Sequence, residues 1–165
     1  MAKISIIAAM SQNRAIGNQG SLPWPEPIPA DWEHLEKVTE DCQMIMGRKS
    51  YEDKHRVSSK AGNYVVSSQS NLELDEGFQQ VGSLKEALEL TRKQKEVFVI
   101  GGNSLFEEAI LLCDNLYLTE VQENFEGDTF FPEFDSSAFK TEYAINFAVS
   151  DESPYPMVIK KMVRV

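Results

Sequence analysis

Glu96-Val97-Phe98-Val99-Ile100-Gly101-Gly102-Asn103-Ser104-Leu105-Phe106 is the stretch whose reading decides the fold. Val97 to Ile100 is a short, continuous apolar run, as expected of a strand buried on both faces in a parallel sheet. Gly101-Gly102 ends it without side chains, which lets another molecule approach the backbone closely. Asn103-Ser104 then opens an apolar-periodic segment, with Glu107 three residues past Ser104 in capping-box spacing. A strand, a glycine pair and a helix start together offer backbone N–H groups and a partial positive charge to an anion. The spacing matches neither G-x-G-x-x-G nor a P-loop. Alone, such a turn is more often a tight connection than a ligand site, so the rest of the chain must decide.

Outward from this stretch, strands and helices alternate. Ile4 to Met10 reads as a first strand, too short to span a membrane. A polar loop, Ser11 to Ser21, leads into Leu22-Pro23-Trp24-Pro25-Glu26-Pro27-Ile28-Pro29, whose prolines exclude helix or central strand. The loop suits a lid or an ordinary surface connection. Pro29 fits the first turn of a helix running to about Glu40. Asp31, Leu35 and Val38 share one face of it, while Glu33, Glu36, Lys37 and Glu40 take the wet side. Asp31 is thus a carboxylate on an apolar stripe. A first-turn acid favoured by the helix dipole and a catalytic acid are equally open readings.

Gln43 to Gly47 reads as a second strand, and Arg48-Lys49-Ser50-Tyr51 as a helix start whose cations suit a phosphate or simply a charged turn. Asn63 to Ser67 is a third strand. Ser83 to Lys93 is an amphipathic helix with a Ser83/Glu86 capping box and Leu84, Ala87, Leu88 and Thr91 inward. After Asn115 to Val121, the pattern changes. Tyr143, Ile145, Phe147 and Val149 alternate with period two, and a second run follows from Tyr155 to Val165, which predicts a terminal antiparallel hairpin. The expected fold is therefore one α/β domain over residues 1–165, with a mixed, mostly parallel sheet.

Composition narrows the partners. Over 165 residues, 42% are apolar, 25% are charged and the formal net charge is -10, which fits a globular chain and disfavours nucleic acid or acidic membranes. Any bound anion needs a local basic cluster. Cys42, Cys113, His34 and His55 show no metal spacing, and reduced thiols in a cytoplasmic protein are expected.

The chain resembles dihydrofolate reductase in nine ordered blocks. They are Ile4 to Met10, Arg14 to Gly17, Leu22-Pro23-Trp24, Pro29-Ala30-Asp31, Ile45 to Tyr51, Ser67-Ser68-Gln69, Val99 to Gly102, Leu116 to Thr119, and Glu126 to Pro132. The resemblance implies an eight-stranded sheet with flanking helices, and hydride transfer from NADPH to the pterin ring of dihydrofolate in a monomeric enzyme. It makes Asp31 the single active-site acid, binding the pterin N3 and 2-amino group and promoting protonation at N5. Thr119 supports it, Leu22 gates water and Trp24 stands at the pocket mouth. Ile7, Ala8, Trp32, Leu35 and Ile100 complete the substrate side. The cofactor side comprises Ala9, Ile16, Gly20, Ser21, Gly47, Arg48, Lys49, Ser50, Val66, Ser67, Ser68, Gly101, Gly102, Asn103, Ser104, Leu105, Phe106 and Thr129, with Ile100 shared. The peptide joining Gly101 to Gly102 is expected to be cis.

Four departures from the family pattern stand out. Ala61 falls where an arginine grips the substrate's glutamate carboxylate, with Lys60 and Arg56 near enough in sequence to compensate. Asn103 replaces a common third glycine, Phe106 a frequent tyrosine, and the loop through Glu26 and Pro27 is longer. Weak discrimination between dihydrofolate and a tail-less dihydropterin follows from Ala61. The other readings are a reductase of a smaller pterin or ribosyl-aminopyrimidine, and a silent nucleotide-binding module, which the presence of Asp31 disfavours.

Overall fold

Val97–Val99 lies in the interior of an eight-stranded sheet in the computed structural model, which describes Met1–Val165. The strands are β1 Lys3–Ser11, β3 Gln43–Gly47, β4 Asn63–Val66, β5 Phe78–Val81, β6 Glu96–Val99, β7 Asn115–Val121, β9 Phe139–Phe147 and β10 Met157–Arg164. Their order is β5-β4-β3-β6-β1-β7-β10-β9. The first six in that order run parallel, and β10 pairs antiparallel with both β7 and β9. The sheet is thus mixed and mostly parallel, with the antiparallel hairpin at one edge. A two-stranded ladder of β2 Ala15–Gly17 and β8 Thr129–Phe130 lies apart from it.

Strand alternation builds the two faces. Val97 and Val99 pack into one cluster with Ile6, Ile45, Leu116 and Leu118, beneath α3 Leu84–Leu90 and α4 Asn103–Ala109. Phe98 faces the other way, joining Ile7 and Tyr117 against Leu35 and Val38 of α1 Pro29–Val38. Phe98 is fully buried, and burial of a side chain of this kind stabilises by about 1.5–3 kcal/mol. Helices therefore cover both faces, and the remaining one, α2 Arg48–Glu52, is the shortest of the four α-helices. No helix is long and apolar enough to cross a membrane.

Local signals explain most boundaries. Ser83 accepts from the Glu86 N–H at 3.0 Å and caps α3, as its spacing predicts. The corresponding expectation for Ser104 and Glu107 fails, because α4 begins at Asn103 with Gly102 as N-cap and no side-chain cap. Val149 is exposed beyond the end of β9, which instead starts earlier, at Phe139. Strand β5 escapes sequence reading because Gln79 and Gln80 interrupt its apolar pattern and only Val81 is buried. It is an edge strand, so one side needs no apolar partner.

Candidate active site

Carboxyl ends of parallel strands, with the loops that leave them, are where such sheets form ligand crevices. Here they surround a cavity of about 1170 Å³. Its walls come from Ile7, Ala8 and Ala9 of β1, Gly47 and Val66 ending β3 and β4, and Ile100 to Phe106 following β6.

Asp31 enters from the first turn of α1. Pro29 starts that helix without needing its missing N–H, and Ile28 supplies no side-chain cap. The Thr119 hydroxyl, on β7, donates to Asp31 Oδ1 at 2.6 Å. Thr119 itself is buried, in register with Ala9 of β1. Asp31 is half-buried and lines the cavity, with its carboxyl largely desolvated. Burial pushes Asp31 up from 3.8 to about 6, against the opposing effect of the Thr119 hydrogen bond. The result is an acid that exchanges its proton near neutral pH. Trp32 and Leu35 line the wall beside it.

The opposite end is built for anions. Gly47 and Gly102 are the N-caps of α2 and α4, and neither helix start is occupied by a side-chain cap. Arg48, Lys49 and Ser50 line the cavity there, and Arg48 Nη1 donates to Gln69 Oε1 at 3.1 Å. The Gly101–Gly102 peptide is cis. Gly101 has φ of 134°, and a Cβ on it would stand 2.9 Å from Ser50 Oγ, so neither backbone nor space admits a side chain. Asn103, in place of a third glycine, donates its carboxamide to the Phe130 carbonyl and ties α4 to the β2–β8 ladder. Phe106, in place of a tyrosine, packs its ring on Phe131 at 5.2 Å.

A loop closes the remaining side. Ile16, Gly20, Ser21 and Leu22 line the cavity, and Gln19 N–H donates to Asp128 Oδ2 at 2.9 Å. Asp128 N–H donates back to Gly17 at 3.0 Å. Gly127 is required for this approach, since a Cβ there would lie 2.6 Å from Ala15 Cβ.

Most sequence-predicted residues converge on the cavity, and four do not line it. Thr119 acts from behind Asp31. Ser67 and Ser68 flank the cofactor end outside the wall. Trp24 is not at the pocket mouth. It is buried with Ile28, Ala30, Val121 and Met157, edge-on to Phe125 at 5.7 Å. The expectation of Trp24 at the pocket mouth comes from the family resemblance, whereas its ring packs into this apolar cluster instead. Lys60 and Ala61 also lie outside the lining, whereas His55, Arg56 and Val57 lie in it. Gly17, Glu52, Asp53, Glu108 and Asp128 complete the residues that sequence reading did not single out. Asp128 sits inside a matched block and its neighbour Thr129 could have pointed to it.

Known proteins resemble this chain in sequence and fold. The family model described as Dihydrofolate reductase matches residues 3–164. A Bacillus subtilis (strain 168) dihydrofolate reductase is 38% identical over 152 residues, covering 92% of this chain and 89% of its own. A Salmonella typhimurium protein named dihydrofolate reductase type 3 is 34% identical, with 92% of each chain covered. Among solved structures, dihydrofolate reductase from Enterococcus faecalis complexed with NADP(H) and RAB-propyl superposes with a TM-score of 0.85 at 29% identity. That match covers 98% of this chain and 96% of the other.

Proposed function

From the premise that the chain belongs to the dihydrofolate reductase family, we propose that Asp31, backed by Thr119, carries its proton chemistry and binds the pterin. The reaction is NADPH-dependent reduction of 7,8-dihydrofolate to 5,6,7,8-tetrahydrofolate, which makes the chain an oxidoreductase. The observation that carries the assignment of Asp31 is its carboxyl in the cavity wall, pushed to about 6 and fixed by a 2.6 Å hydrogen bond.

The residues present fit NADPH. Two cations stand beside uncapped helix starts, and Gly101 leaves no room for a side chain against Ser50. When bound, NADPH supplies the hydride. Arg48, Lys49 and Ser50 hold its phosphates, with Ser67 and Ser68 beside them, while Ala9, Ile16, Val66, Gly101 and Gly102 shape the wall for its rings. On the substrate side, Ile7, Ala8, Leu35 and Ile100 provide apolar surface and Trp32 a large flat one. The Asp31 carboxyl reaches the pterin's N3 and 2-amino edge and promotes protonation at N5. Thr119 fixes the orientation of that carboxyl. Leu22, on the closing loop, limits water around the ring, which strengthens each polar contact inside.

The chain is proposed to work as one monomeric domain in the cytoplasm. All eight main strands belong to a single sheet, and the formal charge of -10 opposes self-association. Sedimentation equilibrium tests the monomer directly. Spectrophotometric NADPH oxidation with dihydrofolate, compared between wild type and Asp31→Asn, tests the role of Asp31. Turnover in the variant close to wild type would leave Asp31 as a first-turn acid only.

A further inference from the structure

We propose that His34, tied to Tyr143 of β9, is a positioning residue for Asp31, holding α1 at the roll that aims the carboxyl into the cavity. This rests on the reading of Asp31 as the acid of the reaction. Asp31 and His34 are three residues apart on α1, so both project from one side of the helix on successive turns. Each has a polar partner on the sheet. Asp31 Oδ1 accepts from the Thr119 hydroxyl of β7, and His34 Nε2 lies 2.9 Å from Tyr143 Oη. A neutral ring forms that second bond in either tautomer, as donor or as acceptor. Strand order puts β10 between β7 and β9. The two attachments therefore stand two strands apart, about 10 Å in a sheet. Helix α1 cannot roll about its axis without stretching one of them.

Strand register builds the surface that receives His34. Lys161 of β10 pairs with Tyr117 on one side and Tyr143 on the other, so the three side chains form one row across the sheet. Tyr117 lies two residues before Thr119, on the same face of β7. His34 sits over this row, its ring centroid 6.3 Å from that of Tyr117 and 6.2 Å from that of Tyr143. Lys161 braces the row, with Nζ 5.5 Å from the Tyr117 ring centroid and 2.7 Å from Glu142 Oε2. Between Phe139 and Phe147, Tyr143 is the one residue of β9 that is not exposed. The charged and titratable groups packed around His34 are Lys37 on α1, Tyr117 on β7, Lys161 on β10, and Tyr143 with Glu142 on β9. Burial, reinforced by Lys37, lowers the His34 pKa, so the ring is uncharged at neutral pH. Leu35 and Val38 bury the apolar stripe of α1, but apolar contact has no direction of its own. The two polar bonds supply it.

Tyr143→Phe removes one oxygen and keeps the ring, so it tests the bond with little risk to folding. It is expected to lower kcat for dihydrofolate with NADPH about 2- to 10-fold, the range of one net hydrogen bond. The break in the pH profile near 6 should move to lower pH, because a loosened α1 lets water reach the Asp31 carboxyl and relieves its desolvation. NADPH affinity should not change. His34→Phe should act in the same way, and the double variant should be no worse than either single one, since the same bond is lost in all three. His34→Gln, whose amide reaches about as far as Nε2, should keep both kcat and the break close to wild type. Unchanged kcat and break in Tyr143→Phe, a loss of stability to urea with the break unmoved, or losses that multiply in the double variant would each overturn the proposal. Asp31→Asn turning over like wild type would instead overturn the functional reading, and this proposal with it.

Discussion

The Thr119 hydroxyl donates to Asp31 Oδ1 across 2.6 Å, linking β7 to the first turn of α1 at the cavity wall. Two opposing effects meet at this bond. Desolvation favours the neutral acid, and the hydrogen bond favours the carboxylate, with desolvation the larger. Thr119→Val keeps the shape and removes the donor. The Asp31 pKa should then rise further, moving the fall in activity to higher pH while kcat drops as the carboxyl loses its orientation. A pH profile superimposable on wild type would show that Thr119 does not act through Asp31.

Asp31 should also weaken the fold at neutral pH. Its folded pKa, about 6, lies above the ordinary 3.8, so the folded state holds the proton more tightly than the unfolded state. Stability from this group is therefore full below pH 3.8, falls as pH rises toward about 6, and stays low above it. Asp31→Asn removes the cost and should raise unfolding free energy at neutral pH by on the order of 1–3 kcal/mol. Urea unfolding at neutral and acidic pH checks the sign, because the gain should vanish in acid.

Cofactor choice should depend on Arg48. It lies in the cavity wall with its guanidinium on Gln69, free to present further donors to a 2′-phosphate. Arg48→Ala should cost roughly 1.5–3 kcal/mol in NADPH binding and leave NADH binding nearly unchanged. Titrating both cofactors by fluorescence measures this. Equal losses for the two would remove Arg48 from the phosphate site.

Periodic, local features of this site could be read directly from the chain. The apolar run before Gly101-Gly102 has no ambiguity of face, and the spacing of Asp31, Leu35 and Val38 puts an acid on the buried stripe of α1. The partnership of Asp31 with Thr119 spans 88 positions and has no local signature, so only the family resemblance pointed to it. The burial of Trp24 depends on Val121 and Met157, which strand pairing brings beneath the proline-rich loop.

The central claim is that Asp31, in its protonated form, drives reduction of dihydrofolate, and the pH dependence of kcat/KM tests it most directly. Wild type should be flat in acid and lose about tenfold per pH unit above an apparent pKa near 6, because deprotonation removes the productive form. Asp31→Asn should be slower by at least about 100-fold at the plateau, the ordinary contribution of a general acid, and should lack that titration. A wild-type profile with no break near 6, or an Asn variant that keeps both the rate and the break, would contradict the account.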